Sequence, residues 1–121
     1  MNSFDGKARA TGLDYSHITF RELASGLVQR GELVLLLLCP EMFGGDARPE
    51  NVVFVPPFAA EAKTRSDEQI WSLAVDGMIT EYAVEPTYSG GSLVPTVLTV
   101  HAYDPGRFLH IIRIWGGGLN C

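Results

Sequence analysis

The chain has only two cysteines, Cys39 and Cys121, and no Cys-x-x-Cys or His-x-His spacing. A disulfide framework is therefore excluded, and spacing gives no support to a zinc site. Basic residues are scarce: nine Lys and Arg stand against fourteen Asp and Glu, for a net charge of -5 and a pI of about 5.0. The nine are scattered, without the basic stripe that marks a phosphate-binding surface, so nucleic acid is not an expected partner. Long apolar runs are missing too. The longest, Leu33 to Cys39, falls far short of the ~20 residues that a membrane helix needs. Met1 to Leu13 is polar and small, unlike a secretory leader. No membrane association and a cytoplasmic location are expected. Cys39 should then be a small buried hydrophobe and Cys121 a reduced terminal thiol, with an intermolecular disulfide as the alternative.

What is present suits one domain over residues 1–121, with 1–15 loosely ordered. Hydrophobic residues make up 46% and charged residues 19%, enough for a core without staples. Thr19-Phe20-Arg21-Glu22 fits a capping box, and Phe20, Leu23, Ala24, Leu27 and Val28 share a helical face that ends at Gly31. Glu32 to Cys39 is apolar on both faces, which predicts a central strand covered on each side and ended by Pro40. Val52 to Val55 reads as a short strand stopped by Pro56-Pro57. Ser66 or Asp67 is expected to cap a helix carrying Ile70, Trp71, Leu73 and Ala74 to a stop at Gly77; a single helix from Ala59 onward is the alternative. Ile79 to Glu85 alternates, with Tyr82 and Val84 on one face and Glu81 and Glu85 on the other. Leu93 to Tyr103 and Phe108 to Trp115 predict a hairpin whose Asp104-Pro105-Gly106 turn suits type II geometry. The fold class is α+β: an antiparallel or mixed sheet of about five strands with two helices packed on it.

Chemistry-bearing residues are present but unassembled. Asp14 and His17 precede the first helix, where local side-chain to backbone bonds are common. His110 alternates with Phe108 and Ile112 and reads as a core histidine. His101 lies on the paired strand, so a His–His metal pair is open on register alone. Glu41, Asp46 and Glu50 make an acidic loop suited to a hard cation or to solubility. Ser25 and Ser89 lack visible His and Asp partners. Gly116-Gly117-Gly118 precedes no helix and is no phosphate loop. Trp71, Tyr82, Tyr88 and His101 are the candidate ligand-binding residues. The last hairpin carries apolar residues on both faces, which predicts cover by helices or by a second copy, and a homodimer is expected.

Met42-Phe43-Gly44-Gly45, Pro49-Glu50-Asn51-Val52-Val53, and Val84-Glu85-Pro86-Thr87-Tyr88-Ser89-Gly90 with Val94-Pro95 follow one another in order. Over about half the chain this order resembles the core of bacterial DNA/RNA non-specific endonucleases of the His-Me finger group. That family carries Asp-Arg-Gly-His, with the His as general base, ahead of its Phe-Gly-Gly loop. Gln29-Arg30-Gly31-Glu32 is the nearest match here, and no metal-binding Asn stands near Lys63. The resemblance thus implies a relative without its catalytic His. If chemistry survived, Glu32 would be the base with Arg30 beside it, Asn51 the metal contact, and Mg²⁺ or Mn²⁺ the cofactor. The leading expectation is otherwise a binding protein without catalysis or cofactor, taking a small molecule or a protein. The nuclease with an altered site, or an accessory or immunity protein on a nuclease-like scaffold, is the alternative.

Overall fold

The computed structural model describes residues 13–116. Of the expected loose start over residues 1–15, residues 1–12 lie outside the described residues, as do the end of the glycine run and Cys121.

The fold is α+β, with two α-helices and five strands among the described residues. Helix α1 spans Arg21–Gln29, β1 Val34–Leu37, β2 Val52–Val55, α2 Pro57–Val75, β3 Ile79–Thr87, β4 Val97–Pro105 and β5 Arg107–Arg113. The strands divide into two antiparallel sheets, β1–β2 and β3–β4–β5. Helix α2 touches β1 and all three strands of the larger sheet, and so joins the two. Register gives the larger sheet its two faces. Tyr82 and Val84 pair with Ala102 and Val100, which pair in turn with Phe108 and His110. This inner face meets α2 and holds the core residues Leu98, Val100, Ala102 and Ile112. Burying a Leu or Val of this kind contributes about 1.5–3 kcal/mol.

Both helices end as their glycines predict. Gly31 (φ 79°) sends its N–H to Val28 O while Glu32 N–H reaches Leu27 O. Gly77 (φ 75°) does the same with Ala74 O, and Met78 with Leu73 O. Each is a left-handed cap closing two otherwise orphan carbonyls.

Four local expectations are corrected. The capping box is not formed: the N-cap is Phe20, in extended conformation and without a side-chain cap bond. Leu93 N–H bonds Ile18 O and fixes how the chain enters α1 from outside the helix. The Glu32–Cys39 run is not a strand covered on both faces. It pairs only with β2, and Leu35 is 57% exposed. Ser66 and Asp67 cap nothing; they lie buried inside one long α2, which starts at Pro57, where a missing N–H costs no helical bond. The 104–106 turn is not type II. Its Asp104–Pro105 peptide is cis, and positive φ falls on Asp104 (73°). Gly106 answers to close approach instead: its N–H bonds Met78 O at 2.7 Å, and a Cβ there would sit 2.7 Å from that oxygen.

The Thr87–Thr96 connection between β3 and β4 is a clasp. Ser92 Oγ donates to Tyr15 O at 2.7 Å, and Trp115 Nε1 donates to Val94 O at 2.9 Å. The two ends of the described chain are thereby tied to the same loop.

Candidate functional site

Helix α2 presents Ala59, Lys63, Ser66, Asp67 and Ile70 to the interior, a spacing of three and four that keeps them on one face. Two of these are charged. Lys63 is 1% exposed and Asp67 6%, so each needs a partner to remain ionised. They find each other one helical turn apart, with Lys63 Nζ 2.6 Å from Asp67 Oδ2. Tyr82, on the inner face of β3, completes the group. Its hydroxyl accepts from Lys63 Nζ at 3.0 Å and donates to Asp67 Oδ1 at 2.6 Å. Leu38 O, just past β1, lies 3.2 Å from the same hydroxyl. One proton cannot serve both acceptors fully, and the shorter, charge-assisted bond to Asp67 is the stronger. The network therefore joins α2, β3 and the end of β1 at one buried point. Burial, and then the Asp67 carboxylate, push the Tyr82 hydroxyl far above the usual tyrosine range. Burial also lowers the Lys63 ammonium below the usual lysine range, against the opposing pull of Asp67.

A cleft of about 330 Å³ opens beside this network. Cys39 and Phe43 form one wall, Ile70 and Ala74 of α2 another, and Ile79, Thr80, Glu81 and Tyr82 of β3 the third. Phe43 stacks on Trp71 at 6.1 Å between centroids and tilts onto Tyr82 at 4.8 Å. The Cys39–Phe43 wall is pinned from behind by Asn51. Its Oδ1 accepts Cys39 N–H at 2.8 Å, and its Nδ2 donates to Cys39 O at 2.9 Å and to Asp46 O at 2.7 Å. Gly45 is needed at the crossing, because a Cβ there would lie 1.8 Å from Cys39 O.

The residues expected to bind a ligand are thus divided. Tyr82 lines the cleft, and Trp71 reaches it through Phe43. Tyr88 belongs to a separate depression with Arg21, Phe54 and the Gly90–Leu93 segment. His101 stands on the outer face of the large sheet, against Tyr103. It pairs across strands with Leu109, whereas His110 points to the inner face, so the two histidines cannot share a metal. His110 Nδ1 is hydrogen-bonded to Ser66 Oγ, so this half-buried histidine is satisfied on the inner face that alternation predicts.

Elsewhere the candidate groups hold local partners. Arg30 and Glu32 pair with each other at 3.0 Å in solvent. Both ends of the Asn51 amide are engaged with backbone. Asp46 grips Arg48 through two bonds of 2.8 and 2.9 Å. Asp14 accepts Ser16 N–H, and hydrogen bonding from the Ser16 side chain, then from its backbone, holds the Asp14 carboxyl below the usual range. Among the described residues, no three or more His, Cys, Asp or Glu are grouped to hold a metal. Nor, among them, is any helix long and apolar enough to cross a membrane.

Sequence reasoning missed Lys63, Asp67 and Cys39 as neighbours of Tyr82. The signal available was a Lys and an Asp at i and i+4, on the same helical face as Ala59 and Ile70.

Comparison with known proteins returns no matching family model, no matching curated protein and no matching solved structure.

Proposed function

We propose that the protein is a small binding protein without catalysis, and that its ligand enters the cleft between Phe43, Ala74 and Tyr82. The ligand class that fits is a planar, largely apolar molecule with a hydrogen-bonding end directed at Thr80. One observation carries this reading: an aromatic-walled cleft lies over polar groups that already satisfy one another. The volume of about 330 Å³ falls within the range of small-molecule sites, and such sites combine apolar walls with few polar groups. Lys63, Asp67 and Tyr82 are mutually bonded, and of the three Tyr82 lines the cleft, so the group positions that wall better than it could exchange protons with a substrate. A protein side chain inserted into the same cleft is the other form of this reading.

The test is calorimetric titration with planar aromatic amines, 1-naphthylmethylamine among them. Ala74 is exposed and lines the cleft, so Ala74→Trp fills it from the surface of α2. Binding that the variant abolishes supports the reading. Binding that survives the filled cleft, or none by any member of the series, counts against it.

A further inference from the structure

Among the described residues, no helix packs on the outer face of β3–β4–β5. Register arranges that face in rows. Glu81, Tyr103 and Arg107 form one row, Ala83, His101 and Leu109 the next, and Glu85, Thr99 and Ile111 the third. Leu109 is 60% exposed and Ile111 45%. A water-facing side of an antiparallel sheet is normally polar at such positions, and adjacent large aliphatics on one strand are the signature of a covered surface. The face is also lopsided. Its acids, Glu81 and Glu85, lie on β3. Its bases, Arg107 and Arg113, lie on β5 with the aliphatics. Strand β4 runs between them.

We propose that this face is a homodimer interface. Two copies stack sheet on sheet about a twofold axis running along β4, which places β3 of each over β5 of the other. A twofold parallel to the strands exchanges β3 and β5 without changing the row. Glu81 then meets Arg107 of the partner subunit, and small Ala83 receives the partner subunit's Leu109. Glu85 covers Ile111 of the partner subunit, one row from the partner's Arg113. The other twofold, running across the strands, would stack β5 on β5. It would join Leu109 to the partner's Ile111 but set Arg107 against the partner's Arg113 and leave the glutamates without cations. Like charges in an interface are costly, so charge selects the first arrangement. A three-stranded face lies at the low end of stable interfaces, below ~1,200 Å² in total. The dimer is therefore concentration-dependent.

Sedimentation velocity of the full chain from ~1 to ~300 μM tests this. The mass is expected to rise from 13.2 kDa toward twice that value. Charge reversal then tests the orientation, because both residues are exposed. Glu81→Arg and Arg107→Glu should each weaken the dimer by about tenfold, and the double reversal should restore it. Circular dichroism checks that each variant is folded. A monomer throughout the range overturns the proposal. So does a double reversal that fails to rescue. Tighter association on Arg107→Glu alone would overturn the orientation in favour of β5 on β5.

Discussion

Replacing Lys63 by methionine removes a buried cation while keeping an unbranched side chain. Asp67 would remain in its buried position with the Tyr82 hydroxyl as its surviving side-chain donor. Breaking a buried ion pair on one side costs about 3–5 kcal/mol. That is a large part of the ~5–15 kcal/mol that holds a domain together. The double variant Lys63→Met/Asp67→Leu removes both charges, and apolar replacement of a whole pair is close to neutral. It should recover most of the loss. Urea unfolding is the assay, followed through Trp115, which is buried and bonded to Val94 O. A single variant that loses less than ~1 kcal/mol, or a double variant no more stable than the single, would refute the view that these charges depend on each other.

Tyr82 sets an alkaline limit. Its hydroxyl is raised in the folded state, so the unfolded chain loses that proton first. The stabilisation is complete below pH ~10 and declines above it by ~1.4 kcal/mol per pH unit. Tyr82→Phe should flatten that slope in unfolding curves between pH 9 and 11; an unchanged slope would count against a raised hydroxyl. Asn51→Asp should cost about 1–3 kcal/mol, because Cys39 O and Asp46 O lose their donors. Added Mg²⁺ should not restore it, whereas recovery with Mg²⁺ would mark position 51 as a metal contact. Gly45→Ala should destabilise by more than ~2 kcal/mol, since Cys39 O blocks the new methyl. A melting temperature equal to that of the unmodified protein would show that the turn yields freely.

The readable features were those set by local chemistry. Gly31 and Gly77 mark left-handed helix ends because only a residue without a Cβ takes that conformation cheaply. The alternation of Tyr82 with Glu81, and of His110 with Phe108 and Ile112, is obligatory in any strand, and both faces turned out as expected. The failures arose where distant contacts decide. Thr19 looks like a cap, but Ile18 is held by Leu93 from the far side of the sequence. Ser66 and Asp67 look like the start of a helix because short polar residues favour caps. Their bonds instead go to His110 and, with Lys63, to Tyr82, which no local pattern reveals. The same holds for Glu32 to Cys39, where composition predicts full cover but pairing with β2 alone leaves Leu35 in water. The cleft was half legible. Its aromatic members stand out in a small domain, while the buried polar group behind Tyr82 depends on the register between α2 and β3.

The most direct test of the central claim is a map of amide chemical shifts recorded while planar aromatic amines are titrated into the labelled protein. The account predicts changes at Phe43, Ala74, Thr80 and Tyr82, with Tyr88 to Gly91 and His101 unmoved. Changes centred on Tyr88 and Gly90 instead, or no changes with any compound, would contradict it.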